Sequence, residues 1–275
     1  MPTKDDLKYL QSLPLDLKVM MTKARIREWV SHYGEDGVYV SFSGGKDSTV
    51  LLNLVREEYP NIEAVFVNTG LEYPEIQKFV KSFDNVTILR PKMSFVEVIK
   101  KYGYPIVSKD IALTIYYYRK GSNFAKERVY GINSKTKGES EFRKERYGKW
   151  KPLTEVDFNI SSYCCKIMKE NPIDKWSNKN SKVCIMGTLA EESERRTDAW
   201  LKTGCNAFDS NRPSSKPMSF WTEQDVLQYI SQNDIPIASV YGDIVYKARD
   251  GNTYDNLLCD TGNCTLCTTG CERTG

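Results

Sequence analysis

Short apolar runs alternate with amphipathic segments through the first hundred residues of the chain. Three runs rich in β-branched residues, bounded by polar residues or glycine, are typical of buried strands and occupy 37–43, 63–67 and 86–89. Apolar residues at helical spacing predict helices between and after them, at 47–59, 73–83 and 94–102. Because strands that alternate with helices form parallel sheets covered on both faces, we predict an α/β fold with a parallel sheet.

The same pattern divides the rest of the chain. Residues 5–33 have helical spacing and Pro14 splits them into two helices, whereas 120–151 is polar, basic and dotted with glycine. A strand at 182–186 and a helix at 221–231, with Thr222 as N-cap, resume the α/β pattern before it ends near Tyr246. We predict an N-terminal helical segment (1–35), an α/β domain (36–245) with a basic insert at 119–151, and a cysteine-rich C-terminal region (246–275).

Composition excludes several classes of protein. The 275 residues are 40% hydrophobic and 27% charged, which are ordinary globular values and argue against intrinsic disorder. No apolar run approaches the roughly 20 residues of a membrane span, and the first residues lack the pattern of a signal peptide. We therefore expect a soluble, cytoplasmic protein without a membrane partner. The composition does not indicate an oligomeric state.

Charge is unevenly distributed along the chain. The net charge is only +3, but 119–151 contains eleven Lys/Arg and four Asp/Glu, a local charge of +7. Aromatic residues lie among or beside these charges: Tyr116, Tyr117, Tyr118, Phe124, Tyr130, Phe142, Tyr147 and Trp150. Two interpretations remain open, a solvated insert and a nucleic-acid-binding surface.

The strongest chemical motif is Ser-Gly-Gly-Lys-Asp-Ser at 43–48, between a predicted strand and a predicted helix. Glycines let backbone N–H groups approach an anion closely, and the helix N-terminus adds a positive dipole. The lysine supplies a charge for phosphate, and the serines supply hydroxyl donors. The motif lacks the spacing of a Walker A loop. The predicted phosphate-binding residues are Ser43, Gly44, Gly45, Lys46, Asp47 and Ser48.

This motif resembles the pyrophosphate-binding loop of the N-type ATP pyrophosphatases, and later blocks resemble the phosphoadenosine phosphosulfate (PAPS) reductase family. The segment 68–75, Asn-Thr-Gly-Leu-Glu-Tyr-Pro-Glu, is similar to a family block that usually begins with Asp. The segment 187–196 is similar to the block Gly-x-Arg-x-x-Glu-Ser-x-x-Arg, with Leu189 at its first Arg. Cys164-Cys165-Lys166 and the blocks at 217–222 and 236–241 complete a collinear match from about residue 38 onward.

The resemblance implies a Rossmann-like sheet of the adenine nucleotide alpha-hydrolase type and a set of site residues. The implied nucleotide-binding residues beyond the loop are Thr69, Gly70, Glu72, Gly187, Glu192 and Ser193, and the implied catalytic residues are Lys46, Asp47, Arg195 and Arg196. Structural alternatives stay open for some of them. Glu72 is also placed to balance a helix dipole, Ser193 to cap a helix, and the two arginines to lie on a solvated helix face rather than to clamp phosphate or sulfate.

Three functions are compatible with these residues. The first is an enzyme that binds ATP with Mg²⁺ and cleaves it at the α-phosphate, adenylylating an unknown acceptor for sulfur chemistry. The second is a sulfonucleotide reductase acting on PAPS or APS (adenosine 5′-phosphosulfate). We favour the first, because the Glu-Cys-Gly-Ile/Leu-His tail of such reductases is not found in this chain. The third is a nucleic-acid-associated or regulatory protein that binds nucleotide without turnover.

Eight cysteines include a cluster near the C-terminus. The candidate metal ligands are Cys164, Cys165, Cys259, Cys264, Cys267 and Cys271. Some sulfonucleotide reductases hold a [4Fe-4S] cluster with a Cys-Cys pair and a later Cys-x2-Cys, and the arrangement here resembles theirs. Zinc bound by the last four cysteines and no metal at all are the alternatives. Many family members continue Arg-Thr-Gly into Cys-x-x-Cys, so we expect that the chain is truncated after Gly275.

Overall fold

Six strands form one central sheet in this computed structural model, which describes residues 2–249 and 252–259. The strands are β1 (Val38–Ser41), β2 (Ala64–Val67), β3 (Val86–Leu89), β4 (Val183–Met186), β5 (Asn206–Ala207) and β6 (Ser214–Ser215). Their order across the sheet is β3-β2-β1-β4-β6-β5. The paired strands are parallel, except that the edge strand β5 is antiparallel to β6. The predicted α/β fold with a parallel sheet is confirmed.

Helices occupy most of the remaining described chain. Numbered in chain order, they are α1 (Lys4–Gln11), α2 (Leu15–Tyr33), α3 (Lys46–Glu58), α4 (Pro74–Val80), α5 (Phe95–Tyr102), α6 (Lys109–Arg119), α7 (Asn123–Val129), α8 (Glu141–Tyr147), α9 (Tyr163–Cys165), α10 (Asn171–Asn180), α11 (Glu194–Thr203) and α12 (Glu223–Gln232). Short 3₁₀ turns lie at Glu35–Gly37, Gly148–Thr154, Ala190–Glu192 and Ser239–Tyr241, and a π-helical turn lies at Lys166–Glu170. An antiparallel hairpin follows, formed by β7 (Ile244–Arg249) and β8 (Asn252–Cys259).

The described residues form two structural units. The sheet unit contains the residues up to Leu89 together with those from Asp174 onward, and so includes the sheet, the N-terminal helices and the hairpin. The helical unit is Arg90–Ile173. In the described part of the chain, no helix is long and apolar enough to cross a membrane.

Local sequence signals set several element boundaries as predicted. Pro14 separates α1 from α2, because proline lacks the N–H that a continuous helix needs. The predicted cap at the start of α12 is present: Thr222 accepts a hydrogen bond from the Asp225 N–H, and the Asp225 carboxylate accepts one from the Thr222 N–H. The strand predicted at 86–89 is β3, and the helix predicted at 94–102 is α5.

Other elements differ from the sequence pattern. The stretch 120–151, for which the polar, glycine-dotted pattern predicted a basic insert and no helix, forms α7, α8 and a 3₁₀ turn. Its order comes from long-range contacts: the Arg119 guanidinium donates to four backbone carbonyls, those of Leu153, Thr154, Val156 and Phe158. The hairpin was also missed. Its strand β8 is anchored by two hydrogen bonds between the Gln224 side chain on α12 and the Leu257 backbone.

A buried ion pair ties the N-terminal helices to the rest of the sheet unit. The Lys18 Nζ on α2 lies 2.6 Å from an Asp225 carboxylate oxygen, and both side chains are almost fully buried. Lys18 Nζ also donates to the Gln11 carbonyl at 2.6 Å. Close by, the buried Trp221 indole donates to the Thr22 hydroxyl at 2.8 Å. Because both groups are buried, removing either one would leave the other as an unpaired buried charge, which destabilises the folded state.

We therefore expect Lys18→Met to lower the free energy of unfolding by about 3–5 kcal/mol, because it leaves the Asp225 carboxylate buried without its partner. The matched control is Arg25→Gln, which breaks the exposed Arg25–Glu28 pair at 3.1 Å and should cost less than about 1 kcal/mol. Urea unfolding followed by circular dichroism measures both. Equal losses for the two variants would show that burial gives the Lys18–Asp225 pair no special weight.

Candidate nucleotide site

The candidate loop lies where the strand order of the sheet reverses, between β1 and β4. The chain runs from β1 outward to β2 and β3, and then returns to add β4 on the other side of β1. Segments that follow the carboxyl ends of β1 and β4 therefore flank a topological switch point, where open α/β sheets bind their ligands. These segments are the loop 43–48 and the block 187–196, both within the sheet unit.

The 43–48 loop has a conformation that only glycine permits at one position. Gly44 has φ +75°, and a Cβ there would lie 2.7 Å from a Val80 methyl and 2.9 Å from an Ile76 methyl on α4. The Ser43 and Ser48 hydroxyls are 2.9 Å apart, and the Ser48 hydroxyl also donates to the Gly45 carbonyl at 3.0 Å. The loop is thus braced by its own side chains and delivers the chain directly into the first turn of α3, whose N–H groups have no intrahelical acceptor.

Lys46 begins α3 and is buried. Its Nζ lies 3.2 Å from a Glu223 carboxylate oxygen and 5.2 Å from the centre of the buried Tyr241 ring. Glu223 is the first residue of α12, and its backbone N–H donates to the Glu191 carboxylate. The ammonium that the sequence assigned to phosphate is therefore held by an acidic residue 177 positions away along the chain.

Asp47 is the most strongly perturbed acid of the site. Burial raises its pKa to about 6, and the carboxylates of Glu223 and Glu191 act in the same direction, while Lys46 and Arg196 oppose them. Burial likewise raises the pKa of Glu191. Perturbed carboxyl groups beside a cation, at a switch point of the sheet, are characteristic of functional sites.

The segment after β2 is folded upon itself. The buried Glu72 carboxylate accepts from the N–H groups of Thr69 and Gly70 at 2.9 and 3.1 Å, and from the Thr69 hydroxyl at 2.7 Å. Glu72 thus braces this turn in the present structure. Neither of the roles suggested by the sequence, ligand contact and dipole compensation, is needed to explain its burial.

The segment after β4 combines close packing with an exposed charged helix start. A Cβ at Gly187 would lie 2.8 Å from the Asp47 carbonyl oxygen, so only glycine lets this chain approach the loop so closely. Leu189, which stands at the family's arginine position, is buried in the core. Arg196 on α11 is ion-paired with Glu192, whereas Arg195 is exposed.

Ser193 is the N-cap residue of α11 by position, but its side chain makes no capping hydrogen bond. Its backbone carbonyl accepts the N–H groups of Arg196 and Thr197. The cap interpretation of its hydroxyl is therefore not supported by the geometry, and its ligand-binding role stays a prediction.

The cysteine predictions fall partly outside the described residues. Cys164 and Cys165 lie in α9 of the helical unit, directly before the π-helical turn, and the buried Cys259 ends β8 of the sheet unit. Cys264, Cys267 and Cys271 lie beyond residue 259. Within residues 2–249 and 252–259, no group of three or more His, Cys, Asp or Glu side chains is placed to hold a metal ion. The iron–sulfur and zinc hypotheses therefore stay predictions.

Sequence reasoning missed the acidic partners of the loop. Glu223 and Glu191 lie in the family-like blocks 217–222 and 187–196 or directly beside them, yet only their neighbours were assigned roles. The sequence signal for Glu223 was its place at the first position of a capped helix, where the helix dipole stabilises a negative charge. That signal explains the acid locally and does not reveal its ion pair with Lys46.

Comparison with known proteins identifies the family of the chain. The chain matches the family described as phosphoadenosine phosphosulfate reductase domain over residues 37–107 and 107–268. Adenosine 5′-phosphosulfate reductase of Bacillus cytotoxicus is 24% identical over 212 residues, which is 77% of this chain and 70% of that protein. Uncharacterized protein MJ0973 of Methanocaldococcus jannaschii is 38% identical over 73 residues, covering 25% of this chain and 18% of that protein.

Among solved structures, a phosphoadenylyl-sulfate (PAPS) reductase from Candida auris in a phosphate complex is similar, with a TM-score of 0.45 and 14% identity over 87% of this chain and 91% of that one. The family match spans most of the chain, so the chain belongs to the phosphoadenosine phosphosulfate reductase family. The membership inferred from the sequence motifs is confirmed.

The raised pKa of Asp47 implies that the free energy of unfolding depends on pH. Because the folded state holds this proton more tightly than the unfolded state, whose pKa is near 3.8, stability falls as pH rises from about 4 to about 6. Asp47→Asn removes the ionisation, so it should be more stable than the parent protein by about 2–3 kcal/mol at neutral pH, at 1.36 kcal/mol per pKa unit. The difference should vanish below about pH 4.

Denaturant unfolding of both proteins between pH 3.5 and 8 measures this difference, and titrations common to both proteins cancel. A difference that stays constant across the range would contradict a perturbed carboxyl at Asp47.

Proposed function

We propose that the chain binds an adenine nucleotide through its 5′-phosphoryl group at the 43–48 loop, and that this nucleotide is adenosine 5′-phosphosulfate or its 3′-phosphorylated form. The observation that carries the proposal is the buried Lys46 ammonium at the start of α3, on the switch point of the sheet. The similarity to proteins named adenosine 5′-phosphosulfate reductase, over 77% of this chain or more, supports the choice of nucleotide.

Electrostatics explain how such a site binds an anion. Lys46 is already desolvated and oriented by Glu223, so an arriving phosphoryl oxygen meets a positioned donor instead of a freely rotating one. The loop offers further donors beside Lys46. They are the Ser43 and Ser48 hydroxyls and the N–H groups of the first turn of α3. The anion would share Lys46 with Glu223, and its charge would raise the pKa of the neighbouring Asp47 further.

The reaction is cleavage of the bond between the nucleotide's 5′-phosphate and its terminal acid group. One sulfonucleotide molecule and two thiols give sulfite, a disulfide and the freed nucleotide, so the thiols supply both electrons. The freed nucleotide is AMP from adenosine 5′-phosphosulfate and adenosine 3′,5′-bisphosphate from its 3′-phosphorylated form. The described residues do not bring three of the predicted thiolates together. The proposal therefore assigns no step to a metal cluster, and the role of the chain's own residues is to bind and orient the phosphate.

ATP cleavage at the α-phosphate, which the sequence motifs alone favour, is the competing function, and it rests on the resemblance of the loop to that of the ATP pyrophosphatases. The similarity to proteins named adenosine 5′-phosphosulfate reductase moves our preference to a sulfonucleotide. The two substrates share an adenylyl group joined to a second acid, sulfate in one and pyrophosphate in the other. In the ATP case Mg²⁺ would arrive with the nucleotide, since the described residues contain no group of three metal-ligating side chains of their own.

Loss of the Lys46 charge should weaken nucleotide binding. We expect Lys46→Met, which keeps the buried aliphatic stem, to reduce affinity for adenosine 5′-phosphosulfate about ten- to hundredfold, the value of one charge-assisted hydrogen bond. The control is Lys81→Met, at an exposed lysine of the sheet unit, which should bind normally. Equilibrium dialysis measures affinity, and thermal unfolding confirms that the variants fold. Unchanged affinity in folded Lys46→Met would exclude this loop as the binding site.

The products distinguish the two substrates. Protein purified without oxygen is incubated with adenosine 5′-phosphosulfate, its 3′-phosphorylated form, or ATP with Mg²⁺, each with dithiothreitol as the thiol. We expect sulfite with AMP from adenosine 5′-phosphosulfate, or sulfite with adenosine 3′,5′-bisphosphate from its 3′-phosphorylated form, and no pyrophosphate from ATP. Pyrophosphate release from ATP without sulfite would establish the competing function. Tight binding of all three without turnover would leave the protein a nucleotide-binding protein and refute the proposed reaction.

A further inference from the structure

The positive charge of the protein is concentrated in the helical unit. Arg90–Ile173 contains 18 Lys/Arg and nine Asp/Glu, a net charge of +9, whereas the whole chain carries only +3. The remainder of the chain is therefore acidic overall. A charge separation of this size produces a local positive field that attracts polyanions.

The fold uses only some of these cations. Asp110 on α6 accepts from Arg128 on α7 at 2.9 Å and from the Tyr147 hydroxyl on α8 at 2.7 Å. Arg119 is occupied with the backbone carbonyls after α8. These interactions hold the three helices together as a scaffold and leave other basic side chains at the surface. Within 119–151 the exposed ones are Lys120, Lys126, Lys135, Lys137, Lys144, Arg146, Lys149 and Lys151. Two of these are ion-paired, Lys137 with Glu127 and Arg146 with Asp110.

Exposed aromatic rings alternate with these cations. The exposed fractions are 66% for Phe142, 51% for Tyr130 and 50% for Phe124. Each ring has a cation over it: Arg146 lies 5.8 Å from the Phe142 centre, Lys151 lies 4.8 Å from Tyr130, and Arg128 lies 4.6 Å from Phe124. Large rings that stay at least half exposed beside cations leave part of their flat surface open to stacking.

Contacts link α7 to α8. The Arg143 guanidinium on α8 lies 5.7 Å from the Phe124 ring on α7. A Cβ at Gly131 would lie 2.9 Å from the Lys144 Cβ, so the end of α7 approaches α8 closely beside Tyr130. The basic aromatic face, defined as Phe124, Tyr130, Phe142, Lys144, Lys149 and Lys151, therefore lies on one packed pair of helices and the 3₁₀ turn that follows.

We propose that this basic aromatic face binds single-stranded nucleic acid, with phosphates on the lysines and bases stacked on the exposed rings. Charge alone would fit any polyanion, including an acidic protein. The exposed π-faces favour a nucleic acid, because every base offers a matching face irrespective of sequence. The inference is independent of the nucleotide chemistry proposed above, since all of its residues lie in the helical unit.

The test is fluorescence anisotropy of the full chain with labelled single-stranded RNA and DNA of about 20 nucleotides, with the matching duplex for comparison. Binding should weaken at least tenfold between about 50 and about 200 mM salt. The triple variant Lys144→Gln/Lys149→Gln/Lys151→Gln should lower the slope of log affinity against log salt by about 2, since each single-strand phosphate contact contributes about 0.7. Phe142→Ala should weaken binding about fivefold or more.

Matched controls separate this face from general charge and fold effects. Lys4→Gln/Lys8→Gln/Lys202→Gln removes the same charge from exposed positions of the sheet unit, and Tyr9→Ala removes a ring that is also 66% exposed. Both should bind like the parent protein, and circular dichroism confirms that every variant is folded.

Equal losses in the variants and their controls would overturn the proposal. The absence of oligonucleotide binding at low salt would also overturn it. If polyglutamate competes with RNA and Phe142→Ala does not change the binding, the face is a site for acidic protein and the proposal is wrong. A preference for RNA or for DNA identifies which nucleic acid the face binds. Stronger binding of the duplex than of either single strand would overturn the proposal that unpaired bases stack on the exposed rings.

Discussion

The burial of Lys46 is the constraint on which the candidate site depends. An ammonium group that is shielded from water requires a compensating charge, and here Glu223 supplies it at 3.2 Å. This requirement joins the loop after β1 to the first turn of α12. That turn is in turn held by the Thr222–Asp225 capping box and by the buried Lys18–Asp225 pair. A chain of paired charges thus connects the N-terminal helices with the phosphate loop.

The same constraint explains why the site is balanced rather than simply positive. Burial raises the pKa of Asp47 to about 6, with Glu223 and Glu191 acting in the same direction and Lys46 and Arg196 opposing them. The loop therefore combines a paired cation with a perturbed carboxyl group. In the proposed complex, a phosphate would add charge to a network whose members already compensate one another. Affinity would then come from a donor that is oriented before the ligand binds, not from a large positive field.

A large positive field does exist, but in the helical unit. There the basic side chains are divided between two tasks. Arg119 and Arg128 organise the helices through backbone carbonyls and Asp110, while lysines and aromatic rings remain at the surface. The 43–48 loop therefore holds a cation that is paired with an acid, whereas the helical unit exposes lysines such as Lys144, Lys149 and Lys151. Screening by salt acts mainly on the exposed charges.

Local sequence is enough to predict the features that depend on neighbouring residues. The alternation of strands and helices, the break at Pro14, the capping box at Thr222 and the Gly-Gly turn of the phosphate loop all follow from local backbone chemistry, and family membership follows from collinear motifs. Tertiary structure alone decided that Glu223 pairs with Lys46, that Leu189 is buried, and that the polar stretch 120–151 is helical. These features depend on pairing and desolvation between residues far apart in the chain. A pattern of neighbours cannot specify them, because the energy of a buried charge or carbonyl is set by the partner that folding brings to it.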